Sequence, residues 1–153
     1  MAKRETSARG RSLSRKLAMQ ALYQWLLTSH SPAELIAQYA DDEFYADCDR
    51  EYFRELLEQI VAGAADLDAG LAGMLDRPLA QLDPIEHAVL LIGLHELKSR
   101  PEVPFKVVIS EGVVLAKRFG ATDGHKFVNA ILDRAARDLR AAEQAALAAE
   151  RRR

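Results

Sequence analysis

The stretch Leu82–Leu97, LDPIEHAVLLIGLHEL, limits what this chain can fold into more than any other segment. Asp83 is a favoured helix N-cap, Pro84 follows at the first helical position, and Glu86 stands three residues after the cap. That arrangement combines capping-box spacing with a proline start. The helix it opens, from Ile85 to about Ser99, is apolar nearly all round through AVLLIGL. A helix without a polar face has to be enclosed by others, so this one is expected at the centre of the molecule. At 153 residues the chain is near the usual size of one domain and can bury such a core without disulfides or metal.

The flanking segments also read as helices. From about Ser12 the sequence runs SLSRKLAMQALYQWLLTSH. Leu13, Leu17, Ala21 and Trp25 recur every four residues as a core-facing stripe, and Arg15, Met19 and Tyr23 form a second ridge roughly opposite. The basic residues of this helix are therefore expected to face water. Ser31-Pro32 opens a short helix through about Tyr39, and DDEFYADCD reads as a connection. A third helix carries Tyr52, Phe53, Leu56, Leu57, Ile60 and Val61 on one face. After it Leu67, Leu71, Met74 and Leu75 keep helical spacing despite Gly63, Gly70 and Gly73, so a further helix or a bent continuation ends before Pro78.

Pro101 and Pro104 break the chain again. The valines and isoleucine of residues 105–119 suit a strand by propensity, but length, the preceding proline and Gly120 as a stop favour a helix. A last helix starts near Thr122 or Asp123, both good caps, and passes through Val128, Ile131, Leu132, Ala135 and Leu139. Beyond Arg140 the Ala-rich end has little to bury, and it either extends that helix or frays. The expected division is a flexible basic tail over 1–10, one helical domain over 11–140 and an Ala/Arg-rich extension over 141–153. The fold class is all-α.

Signals for chemistry are scarce. The sequence has no GxxxxGKS/T, GxGxxG, HExxH or GxSxG. Its four histidines have no i,i+4 partner among them, and Cys48 stands alone. Asp123 and His125 are spaced to pair as base and orienter, but no nucleophile motif surrounds Ser110 or Thr122. Neither catalysis, nor a metal, nor a cofactor is expected. The single cysteine and the lack of an N-terminal apolar segment fit a reducing, cytoplasmic setting, and the longest apolar run, Ala88–Leu94, is too short to cross a bilayer.

Charge is segregated along the chain. Residues 1–29 carry six Lys or Arg against one Glu, residues 30–102 carry five against sixteen acids, and residues 103–153 carry ten against six. Basic ends invite a polyanion and an acidic middle invites a basic protein; the alternative is a solvated surface of uneven charge. Arg9, Arg11, Arg15 and Lys16 precede or sit on the first helix, and Tyr23 adds an aromatic ring, a pairing that suits single-stranded RNA. Lys126 lies in the first turn of the last helix, where backbone N–H groups also welcome phosphate, with Phe127 at the edge of the apolar arc. For an aromatic so placed, a core position is the commoner fate.

Read together, RKLAMQALYQW (15–25), YFRELL (52–57), LDPIEHAVLLIGLHEL (82–97) and VPFKVVISEGVVLAKRFGATDGHKFVNAILDRAA (103–136) resemble the NusB family of bacterial transcription antitermination factors. The likeness runs from about Arg11 to Arg140 and is most specific over Val103–Ala136. It implies about seven helices in two small packed bundles. It also implies a function: binding of the boxA element of nascent RNA in ribosomal RNA operons, together with NusE, the ribosomal small-subunit protein that doubles as an elongation factor, within the RNA polymerase antitermination complex.

Carried over by position, the resemblance places Arg9, Arg11, Arg15 and Tyr23 on an RNA surface with Asp123, Lys126 and Phe127, and Glu86 on the NusE-facing surface. Ser12 and Leu13 stand where many members continue an arginine run, which shifts phosphate contact toward Arg9 and Lys16. Leu91, His87 and His95 also depart from the family's usual residues, all on the partner side. Two other readings are a helical protein-interaction module and a detached N-terminal domain of an RNA cytosine methyltransferase. A monomeric free protein and a homodimer that buries its RNA surface are both open on the sequence.

Overall fold

The computed structural model describes residues 2–152, with side chains from Ala8 onward. Among the described residues eight α-helices follow one another: α1 (Ala2–Leu27), α2 (Pro32–Tyr39), α3 (Arg50–Ala62), α4 (Ala64–Ala72), α5 (Pro84–Ser99), α6 (Phe105–Phe119), α7 (Gly124–Leu139) and α8 (Ala141–Arg151). A short 3-10 turn, Leu79–Gln81, precedes α5. No strand occurs among the described residues. Helix α1 begins at Ala2, ten residues before the point that apolar periodicity marks. Met1 and the side chains of residues 2–7, Lys3 and Arg4 among them, lie outside the described residues.

The central place of α5 follows from its composition. Every residue from Ala88 to Leu97 is buried. Helices α1 and α3 close it on one side and α6 and α7 on the other, so α5 is shared between two small bundles. The Asp83 carboxylate caps α5 by accepting from the Ile85 and Glu86 N–H groups at 2.9 and 3.1 Å. Ser31 and Asp49 cap α2 and α3 in the same manner. Helices α5, α6 and α7 meet closely because Gly93 on α5 and Gly112 on α6 leave a notch for Leu132 of α7. A Cβ on Gly93 would stand 2.5 Å from the Leu132 Cδ2, and one on Gly112 would stand 2.9 Å from its Cδ1.

The second ridge of α1 does not face water, which corrects the expectation from periodicity. Met19 is fully buried and Arg15 is 3 % exposed. The cause is enclosure: with α3 and α5 packed on α1, both ridges are covered through the middle of the helix. Arg15 tolerates burial because acceptors meet it there. Its Nε and Nη2 donate to the two Glu96 carboxylate oxygens at 2.9–3.1 Å, and Nη1 lies 3.4 Å from Glu111 Oε1. The Tyr52 hydroxyl also donates to Glu96, and the Ser12 hydroxyl donates to Glu111 at 2.6 Å. Burial by itself would lower the Arg15 pKa. The hydrogen bonds and charge of Glu96, with Tyr52 and Glu111, outweigh it and hold the guanidinium above its ordinary value. Burial, and then Glu96, pushes the Tyr52 phenol up.

The end of the chain is folded onto the rest. Arg140 is buried, and its guanidinium donates to the carbonyls of Glu96, Leu97, Arg100 and Val103 and to the Glu143 carboxylate. Glu143, on α8, accepts from the Phe105 N–H at 3.0 Å, and Leu147 packs on the core. Helix α8 follows α7 after a break at Arg140, and its Glu143 caps the first turn of α6.

Removing one partner from a buried ion pair strands the other charge, which typically costs about 3–5 kcal/mol, whereas removing both charges at similar volume is close to neutral. Arg15→Ala is expected to lose stability in that range in urea unfolding, and Arg15→Met combined with Glu96→Leu is expected to recover much of it. A loss below about 1 kcal/mol for Arg15→Ala would show that water, rather than Glu96, satisfies the guanidinium.

Candidate nucleic-acid interface

Helices α1 and α6 run the same way and α5 runs against both. Ser12 and Arg15 meet Glu111 at one end, and Tyr23 meets Ile85 and Phe119 at the other. The proposed contact residues therefore fall at two places. Arg9 and Tyr23 are about 21 Å apart along the axis of α1 at 1.5 Å per residue.

At the first place, Arg9 is exposed and Arg11 is half-buried. They border a cleft of about 540 Å³ lined also by Val103, Pro104, Val107 and the carboxylates of Glu102 and Glu111. The Arg11 guanidinium also lies 4.4 Å from the Tyr52 ring centroid, with its Nε 3.9 Å from Asp49. Lys16 turns aside, its ammonium 4.0 Å from the centroid of Phe44. Arg15 lies beneath this surface with its charge consumed by Glu96 and Glu111, so it supports the cleft from within rather than presenting a cation. That corrects its expected place among exposed phosphate contacts.

At the second place, Tyr23 is 37 % exposed and lines a groove of about 680 Å³ with Met19, Gln20, Gln24, Ile85 and Phe119. The turn between α6 and α7 lies beside it, joined through the first turn of α5. In this turn Asp123 adopts a left-handed backbone, φ 63°, a conformation that Asp tolerates better than most residues. Asp123 occupies the N-cap position of α7 without capping it: its carboxylate pairs with the Lys126 ammonium at 3.2 Å instead. Both side chains are open to solvent, with Lys126 72 % exposed. Phe127 is half-buried, with one edge on the core and the Arg77 guanidinium 5.3 Å from its ring centroid.

Glu86 is not displayed on the surface. It is 7 % exposed and turned toward the α6–α7 turn, so close to Gly124 that a Cβ there would stand 2.7 Å from Glu86 Oε2. Its place departs from the surface position that the resemblance implies. The carboxylate supports the turn that carries Asp123 and Lys126. Burial, reinforced by Asp83, raises the Glu86 pKa, while the Ala121 N–H and Arg77 act in the opposite sense.

Three residues at the end of α6 went unread in the sequence. Lys117 and Arg118, both exposed, end α6, and Phe119 closes the groove opposite Tyr23. The cations in the last turn of a helix were a legible signal. No group of His, Cys, Asp and Glu suited to a metal, and no helix long and apolar enough to cross a membrane, occurs among the described residues.

A carboxyl group with a raised folded-state pKa keeps its proton to higher pH in the folded chain than in the unfolded chain. Its contribution is favourable below the ordinary glutamate range and is lost as pH rises through the folded value. Glu86→Gln is therefore expected to match the wild type in stability at acid pH and to exceed it increasingly toward neutral pH, read by urea unfolding across that window. A wild-type advantage that grows with pH would show instead that the ionised carboxylate is stabilised by the turn.

Comparison with known proteins agrees with this architecture. The model of the NusB family matches residues 12–137. The chain is 52 % identical over 130 residues to the transcription antitermination protein NusB of Pseudomonas entomophila, covering 85 % of this chain and 78 % of that protein. It is 47 % identical over 146 residues to the protein of the same name from a Marinomonas species, covering 94 % and 84 %. A solved structure of T. maritima NusB superposes with a TM-score of 0.74 at 28 % identity, covering 84 % of this chain and 91 % of that one. The eight-helix architecture and the extent of these matches establish that the chain belongs to the NusB family.

Proposed function

We propose that this chain is a non-enzymatic RNA-binding factor of transcription antitermination, acting in the cytoplasm. It binds the boxA element of ribosomal RNA operons together with NusE and joins the RNA polymerase antitermination complex. The observation that carries the reading is the α6–α7 turn, which packs on Glu86 through Gly124 and joins Phe119, in the Tyr23 groove, to Lys126 and Phe127 in the first turn of α7. Such a surface offers what an unpaired RNA segment needs: rings for bases, and cations and a helix N-terminus for phosphates. Arg9, Arg11 and Lys16 extend the positive field along α1. Arg15 keeps that helix in place. The names of the relatives, all transcription antitermination proteins, support this reading over that of a methyltransferase domain.

NusE, a basic ribosomal protein in this reading, meets the acidic middle of the chain, where Asp66 is exposed. Glu86 serves that surface through the turn it supports. The free chain covers the same RNA surface by self-association, and sedimentation at increasing concentration tests this: a concentration-independent monomer would remove it.

The function is tested by titrating labelled boxA RNA with the protein, with and without NusE, at several salt concentrations. Each phosphate contact on a single strand contributes about 0.7 to the slope of log affinity against log salt. Lys126→Ala is expected to weaken binding and to flatten the slope by about that amount, while Arg15→Met leaves the slope unchanged. An unchanged slope for Lys126→Ala would remove its phosphate role, and the absence of any boxA-specific complex with NusE would favour a pure protein-interaction module.

A further inference from the structure

The acidic middle of the chain contains a cation that belongs, by position, to the opposite surface. Arg77 lies in the connection between α4 and α5, yet its guanidinium sits 5.3 Å from the centroid of Phe127 on α7. Half of the Arg77 side chain is exposed. Its ion partner is its own neighbour Asp76, 3.4 Å away and 85 % exposed, a pairing that solvent screens to little. Phe127 lies one turn into α7 from Gly124, so Arg77 stands near the turn that carries Asp123 and Lys126. Arg77 thus stands against one half-buried aromatic ring, and Lys126 is exposed in the same first turn of α7.

We propose that Arg77 is an RNA phosphate contact, and that with Phe127 it forms a clamp for one unpaired nucleotide, which brings the α4–α5 connection into the RNA surface. This inference rests on the RNA-binding reading above. Phe127 packs on the core and carries Arg77 against its ring, a contact that orients the ring before ligand arrives. A base then stacks on the exposed part of the ring. The phosphate beside that base meets the planar fork of Arg77, whose geometry matches phosphate oxygens two at a time. Lys126 takes a phosphate on the other side as a point charge. The opposite outcome has an equally definite signature: a guanidinium that only shields Phe127 from water would have to be displaced by the base, and its removal would tighten binding.

The test uses the full chain, NusE and labelled boxA RNA over a range of salt. Arg77→Ala is expected to weaken binding roughly five- to tenfold and to lower the salt slope by about 0.7, with Arg77→Lys restoring the slope. Phe127→Leu is expected to weaken binding without changing the slope, and the double variant to lose less than the product of the two single losses, because the clamp is already broken by either change. The Arg77 variants alter an exposed side chain and are expected to keep the wild-type melting temperature, so they decide the matter even if Phe127→Leu folds poorly. Unchanged affinity and slope in Arg77→Ala, or tighter binding, would overturn the clamp while leaving the RNA-binding reading intact. Failure of the wild type to bind boxA RNA would overturn both.

Discussion

The guanidinium of Arg15 is where the packing of this molecule is decided. It lies at the meeting of four helices: its own α1, α5 through Glu96, α6 through Glu111, and α3 through the Tyr52 hydroxyl that shares Glu96. A buried ion pair adds little net stability over an apolar core of the same shape, because both charges give up water to form it. Its effect lies in the asymmetry between right and wrong arrangements. A slip of α1 along α5 by one residue would leave a cation and a carboxylate buried and unpaired, whereas an apolar contact would merely repack. The α1–α5 register decides where Arg9, Arg11 and Tyr23 emerge, so a pair that never reaches the surface sets the layout of the surface.

How far the fold was legible depended on whether the signal was local. The start of α5 at Asp83-Pro84, the cap and proline of α2 at Ser31-Pro32 and the span of α6 between Pro104 and Gly120 all follow from chain chemistry within one turn. The enclosure of α5 also followed, since a helix with no polar face has one place to go. Arg15 and Glu86 were misplaced for one shared reason. Periodicity assigns a charged residue to the solvent side, and only the three-dimensional arrangement shows that Arg15 meets Glu96, eighty-one positions away in the chain, or that Glu86 abuts Gly124. Asp123 failed differently: its residue type suits a cap, but its left-handed backbone turns the carboxylate toward Lys126.

The exposed surface divides by rigidity as well as by charge. The Tyr23 groove and the α6–α7 turn rest on the buried start of α5, and their geometry is inherited from the core. The arginines at the other end of α1 are held more loosely, by ring faces and by a 3.9 Å approach to Asp49. A long, flexible ligand is suited by this division. The rigid end supplies defined positions for bases, and the looser end supplies charge that follows a backbone wherever it runs.

Arg140 separates two meanings of a domain boundary. The pattern shared with the family ends at residue 137, yet the cation that ties the end of α5 to the start of α6 stands three positions later, and its carboxylate partner Glu143 later still. Shared ancestry and mechanical closure therefore stop at different residues. A chain ended at residue 137 would keep every residue of the proposed RNA surface and would expose four carbonyls that Arg140 now satisfies. The last turn of α5, which carries Glu96, would then be free to fray, and the loosening would reach Arg15 from the far end of the chain.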